Sequence, residues 1–273
     1  MECNRLYRCE LCEKDAFCSF NKKGHDDWHK NLRVSNIRKG IVVTGARGGL
    51  GSTLFSSILA EELFERGFRV AVIETSHLTP MLPYYMGFDF ECGGLELTDT
   101  GVKAPVNEKG ISYLSPLLFM HNDPRLLAWD ENAVNRLIEG MVVNIDWGVV
   151  DIMIFDLPFY QVNLISNLQL FMAGRLDHLI FMTDPKMVSR DLVKSQVHYL
   201  DELTDILGIV FSPVNNNFDA KANYENYKSV CLPFVVSVNS PEVKANQMTG
   251  ILKQPYSSVI KEVSQSCLSI FSS

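Results

Sequence analysis

From residue 37 onward, short apolar runs alternate with apolar positions at helical spacing. IVVTG (Ile41–Gly45) is β-branched and free of charge, the pattern of a strand buried on both faces. Phe55, Ile58, Leu59 and Leu63 then recur at helical intervals, and Gly67 ends that helix. VAVIE (Val70–Glu74) reads as a second strand. Further strands are predicted at Ile111–Ser115, Asp151–Asp156, His178–Thr183, Gly208–Phe211 and Pro233–Val238. Helical patterns fit Asp130–Asn144, Val188–Asp205 and Ser257–Ile270. Doubly apolar strands separated by helices predict an α/β fold: a mostly parallel sheet with helices on both faces. Residues 1–36 lack this periodicity and are rich in cysteine and charge, so the chain divides into a short arm, 1–36, and one domain, 37–273.

Composition narrows the picture only a little. The 273 residues are 47% hydrophobic and 21% charged, with a net charge of −7. A chain of this size buries a large core without staples. The acidic balance argues against a dedicated nucleic-acid binder, which carries a basic surface. No stretch approaches the roughly 20 apolar residues of a membrane span. The first residues, MECNRLYRCELCEK, form no apolar signal region, so a cytoplasmic protein with no membrane partner is expected.

Between the first strand and first helix lies GARGGLGST. Glycines let backbone wrap a phosphate, and a helix N-terminus supplies amides and the positive end of a dipole. Gly48, Gly49 and Gly51 stand in that position, with Thr53 where a hydroxyl meets Mg²⁺. The full GxxxxGK[ST] pattern is broken, because Ala46 takes the place of the first glycine and Ser52 that of the lysine. A phosphate cradle and a plain strand–helix connection both remain open on these residues alone.

Four of the seven cysteines, Cys3, Cys9, Cys12 and Cys18, crowd the first eighteen residues. In a reducing compartment such a cluster points to a metal site rather than to disulfides. Iron–sulfur ligation, zinc and no metal are the alternatives. Cys9, Cys12, His25 and His29 have the spacing of a Cys₂His₂ finger, but Ala16 and Lys22 fall where such a finger needs apolar side chains. Cys92, Cys231 and Cys267 stand alone and are expected to be core or surface thiols.

GARGGLGST resembles the deviant loop GKGGVGKST of the Mrp/ApbC ATPases, relatives of MinD and ParA. The resemblance continues through VIETSHLTPMLPYYMG (Val72–Gly87), NIDWGVVDIMIFDLP (Asn144–Pro158), FMTDPKMVS (Phe181–Ser189) and LPFVVSVNSPEV (Leu232–Val243). It implies a P-loop NTPase of MinD/ParA-like architecture. Cys9-x2-Cys12-x5-Cys18 is similar to part of the N-terminal cluster motif of the branch that assembles cytosolic iron–sulfur clusters, with Cys3 as the candidate fourth ligand. The resemblance thus implies a 4Fe-4S cluster, ATP with Mg²⁺, apo iron–sulfur client proteins and a dimer. The C-terminal CPxC pair that bridges two family subunits is missing, so a heterodimer with an intact paralogue stands beside the homodimer.

Carried over position by position, the nucleotide site is depleted. Arg47 replaces the family's signature lysine, Ser52 the loop lysine, and Ser76 the switch aspartate. Glu74 keeps an acidic position. Thr79 replaces a glycine, Phe159 and Tyr160 replace small residues, and Asn163 replaces a later aspartate. Ser212 falls near the asparagine that reads adenine. Only Asp156, Thr53 and the three glycines survive. Phosphoryl transfer relies on positioned charge, and loss of one such contact commonly costs about 100-fold in rate. The expectation is an iron–sulfur scaffold or carrier with no catalytic residues and only weak nucleotide binding through Arg47, Gly48, Gly49, Gly51, Ser52, Thr53 and Asp156. A regulatory pseudo-ATPase with a zinc arm and a divergent MinD/ParA-type ATPase, with Arg47 reaching across a dimer, are the alternatives. His77 is expected to be a surface or hydrogen-bonded residue. Met81, Tyr84, Tyr85 and Met86 are expected to pack in the core or to form an interface.

Overall fold

In a computed structural model the sheet at the centre of the chain runs β10-β9-β8-β1-β7-β2-β5, and every pairing in it is parallel. The structure describes residues 37–78, 80–87, 96–98, 101–116, 131–143, 145–161, 163–172, 175–184, 187–214, 219–220, 234–239 and 257–271. The strands of the sheet are β1 (Ile37–Gly45), β2 (Val70–Glu74), β5 (Ser112–Leu114), β7 (Val150–Leu157), β8 (Leu176–Thr183), β9 (Asp205–Val214) and β10 (Phe234–Asn239). All seven match predicted strands. β1 and β9 run further than their apolar runs, because polar residues such as Arg38, Lys39 and Asp205 extend the ladders.

The helices are α1 (Ser52–Glu65), α2 (Leu82–Tyr85), α3 (Glu131–Val143), α4 (Leu164–Phe171), α5 (Met187–Leu203) and α6 (Ser257–Phe271). The connection β1–α1–β2 moves one way across the sheet, whereas β7–α4–β8 and β8–α5–β9 move the other way. Parallel crossovers are right-handed, so α1 covers one face and α4 and α5 the opposite face. α6 packs on α1 and β10. That outer layer explains why α1 lacks a polar face: Leu54 to Glu61 and Leu63 are all buried. Ile41, Val42, Val43, Ile154, Phe155 and Phe181 are fully enclosed between the helical layers. Each such side chain contributes about 1.5–3 kcal/mol by leaving water.

A second sheet, β3-β4-β6, is small: β3 (Glu96–Thr98), β4 (Gly101–Lys103) and β6 (Ile145–Asp146). It was not predicted, and neither was α4. Below the sheet, the Arg69 guanidinium forks onto Asp151 at 2.9 and 2.7 Å, pinning the entries of β2 and β7 together. That partner holds the Asp151 carboxyl down at about 2. Among the described residues no helix is long and apolar enough to cross a membrane.

Candidate phosphate-loop site

All strands of the large sheet point their C-terminal ends to one edge, and β1 delivers the glycine loop there. The Ala46 amide donates to the Met182 carbonyl at 2.8 Å, which ties the loop's start to the end of β8. Leu50 is buried in the core, and its carbonyl accepts from the Ser212 hydroxyl at 3.0 Å. Gly49 and Gly51 have φ of 79° and 88°. An L-residue with a side chain is strained in that left-handed region. Gly51 is also the N-cap of α1, so the strain-free turn opens the helix. Gly48 does not share that conformation. A Cβ there would meet only the Phe159 ring, at 3.7 Å. Phe159 begins the 3₁₀ turn Phe159–Gln161 and remains 42% exposed, so its ring lies against the loop instead of in the core. The Tyr160 side chain lies outside those the structure describes.

Behind the loop two carboxyls sit side by side. Asp156 on β7 and Glu74 on β2 are register partners, and both are buried. Thr53 Oγ1 donates to Asp156 Oδ2 at 2.5 Å, and Ser56 Oγ lies 3.5 Å from Oδ1. Burial pushes the Asp156 carboxyl up to about 6, against the opposing pull of the Thr53, Ser52 and Ser56 hydroxyls. Glu74 Oε1 accepts from the Met81 and Leu82 amides at 2.6 and 3.1 Å, and the Ser115 hydroxyl lies 2.5 Å from Oε2. Burial first, and the charge of Asp156 second, push Glu74 up to about 8. Glu74 therefore sits protonated at neutral pH, and its carboxyl fastens the start of α2 to the sheet.

Arg47 turns back over its own loop. Its Nε donates to Asp184 Oδ2 at 2.9 Å, its Nη2 makes a second, very short contact to the same oxygen, and its Nη1 donates to the Gly48 carbonyl at 3.0 Å. Just past the end of β2, the Thr75 hydroxyl lies 2.9 Å from Gln161 Oε1, and Gln161 Nε2 is 3.3 Å from His77 Nδ1. Partial burial holds the His77 ring below its usual pKa, and an amide nitrogen can only donate, so Nδ1 is the acceptor in that bond. His77 is thus a hydrogen-bonded residue, as expected. Around α2 the packing expectation holds for Met86, which is buried along with Leu82; Tyr85 is half-buried, and Met81 and Tyr84 are exposed.

The structure brings together Arg47, Gly48, Gly49, Gly51, Ser52, Thr53 and Asp156 at one sheet edge. The thiol candidates Cys3, Cys9, Cys12 and Cys18, together with His25, His29, Cys92 and Cys231, lie outside the described residues. Cys267 is a buried thiol on α6. Among the described residues no group of three or more His, Cys, Asp or Glu side chains is arranged to hold a metal ion. Two contributors escape a reading of the sequence. Asp184 is 137 residues from Arg47, and Gln161 is 84 residues from His77. The only signal for either was its place just beyond a predicted strand.

A glycine loop joining the central strand of a parallel sheet to a helix, with a buried aspartate on the neighbouring strand behind a loop threonine, defines the P-loop NTPase fold. The fold is shared with an ADP-bound nucleotide-binding protein from Archaeoglobus fulgidus (TM-score 0.57, 18% identity, 88% of this chain and 90% of that one). It is shared equally with the MinD cell division protein of Aquifex aeolicus (TM-score 0.59, 14% identity, 85% and 97%). Residues 36–222 match the ParA-group family of NUBPL iron-transfer P-loop NTPases, and the chain belongs to that family. An iron-sulfur cluster carrier protein of Rickettsia felis is 25% identical over 178 residues, 65% of this chain and 54% of that protein. One from Saccharolobus solfataricus is 24% identical over 185 residues, 67% and 62%. The chain therefore spans somewhat over half the length of these relatives.

Proposed function

We propose that this protein is an iron–sulfur cluster carrier whose nucleotide site is weakened. Membership of an iron-transfer family carries the first half of that reading, together with relatives named as cluster carriers. The state of the loop supports the second half. A lysine at position 52 would place a mobile cation on the terminal phosphates, and Ser52 supplies none. Arg47 is already engaged by a carboxylate and by its own loop, and the Phe159 ring lies beside Gly48. Loop amides and the Thr53 hydroxyl are what is left to hold a nucleotide. This site binds Mg-ATP weakly through them and turns it over poorly.

In this reading residues 1–36 form the cargo arm, and Cys3, Cys9, Cys12 and Cys18 take a 4Fe-4S cluster as thiolates. The body docks apo client proteins and a second subunit, either its own copy or an intact paralogue, in the cytoplasm. The exposed side chains of Met81 and Tyr84 suit such a docking role.

Anaerobic incubation with ferrous iron and sulfide, followed by absorbance and metal analysis, tests the cargo. Iron and sulfide together, lost in a Cys9→Ser/Cys12→Ser variant, are expected. Zinc without iron would replace the carrier reading by the zinc-armed regulatory one, and no metal would end both. Calorimetric titration with Mg-ATP and a phosphate-release assay test the loop. Turnover matching a relative that keeps the loop lysine would refute the weakened site.

A further inference from the structure

The Arg47–Asp184 contact is an unusual way to use a loop's cation. Asp184 follows β8 directly, and its side chain is only 2% exposed, whereas that of Arg47 is 39% exposed. A carboxylate buried to that degree demands a charged partner, and a guanidinium pressing two N–H groups onto it is a strong one. Among residues 45–53 Arg47 is the single cationic side chain. Its third bond, to the Gly48 carbonyl, folds it against the loop backbone. A phosphate arriving at the loop amides therefore meets a cation already neutralised, with a carboxylate behind it.

We infer that Asp184 sets the affinity of this loop for nucleoside di- and triphosphates, by latching Arg47 away from the phosphates. The inference rests on the proposed weakening of the site and supplies one cause of it. With Asp184 neutralised, Nε and Nη2 are released, and the guanidinium, whose Nη1 already lies on the Gly48 carbonyl, turns that freed edge toward the glycine amides. There it donates charge-assisted hydrogen bonds to phosphate oxygens. A lysine at position 47 would be held less firmly, since one ammonium replaces a two-nitrogen edge.

The test titrates the full chain with Mg²⁺ and a fluorescent ATP analogue, comparing wild type, Asp184→Asn, Arg47→Ala/Asp184→Asn and Arg47→Lys. Asp184→Asn is expected to bind about tenfold tighter, the worth of one hydrogen bond to a charged group. The double variant should fall back to within about twofold of wild type, which assigns the gain to Arg47. A folded Asp184→Asn variant that binds no tighter than wild type, or whose gain survives removal of Arg47, overturns the latch. Should Asp184→Asn fail to melt cooperatively, Arg47→Lys decides the matter: a gain of about threefold supports the latch, and no gain sinks it. These ratios are read independently of the wild type's absolute affinity. A wild type that binds and hydrolyses Mg-ATP readily would defeat the weakened-site reading and still leave the ratios to judge the latch.

Discussion

Glu74→Gln separates a buried neutral acid from a buried charge. In the metal-free protein the Glu74 proton is held from an ordinary 4.5 up to about 8. Below pH 4.5 folded and unfolded chains both carry this proton. Between 4.5 and 8 the unfolded chain releases it and the folded chain keeps it, so this carboxyl's contribution to stability falls as pH rises. Above 8 the contribution is flat. Integrated over that window, the loss approaches about 5 kcal/mol, an upper bound because buried sites relax. Glutamine copies the protonated form: its oxygen accepts from the Met81 and Leu82 amides and its amide faces Ser115. Urea unfolding of both proteins at about pH 5, 6.5 and 8 measures the difference directly. The two should agree within about 1 kcal/mol at the acid end, and Glu74→Gln should be the more stable by several kcal/mol at the alkaline end. Asp156 titrates in both proteins and largely cancels. Parallel stability curves for the two proteins across this range would show that Glu74 is ionised in the fold, and the buried-acid account would be wrong.

Gly51→Ala should cost about 1–2 kcal/mol by thermal or urea unfolding, because φ is 88° there. Gly48→Ala meets only an ordinary contact with the Phe159 ring and should stay within about 0.5 kcal/mol of wild type. Cys267 is enclosed and its thiol is pushed up to about 12. Iodoacetamide should therefore modify it only after unfolding, as mass spectrometry of native and denatured samples would record.

The sheet was legible because its strands are buried on both faces, so Ile41–Val43 and Ile152–Phe155 read as unbroken apolar runs. What the sequence hid has identifiable causes. β3, β4 and β6 span two or three residues each, too few for a period to register. α4 has eight residues, of which Leu164, Ile165 and Leu168 face inward, too short a stretch to separate from a strand. At the candidate site the glycines, Thr53 and Asp156 were found from loop spacing. The partnership of Arg47 with Asp184 was not, because only the sheet order puts the end of β8 beside the end of β1. Glu74 was legible as an acidic position but not as a clasp on α2, which needs the chain to turn back within eight residues.

β1 occupies the middle of the sheet, and its nine residues span about 26 Å from Ile37 to Gly45. The segment that carries the four thiols enters the body at the Ile37 end, and the glycine loop leaves from the Gly45 end. The stretch between Cys18 and Ile37, drawn out fully, reaches about 60 Å. On the proposed function, that reach is long enough to span β1, so the length of the strand alone does not keep a cluster and a bound nucleotide apart. A cluster held at the Ile37 pole, as the proposed function allows, would be separated from the loop by the length of β1, and the proposed delivery to clients would then not depend on what the loop holds.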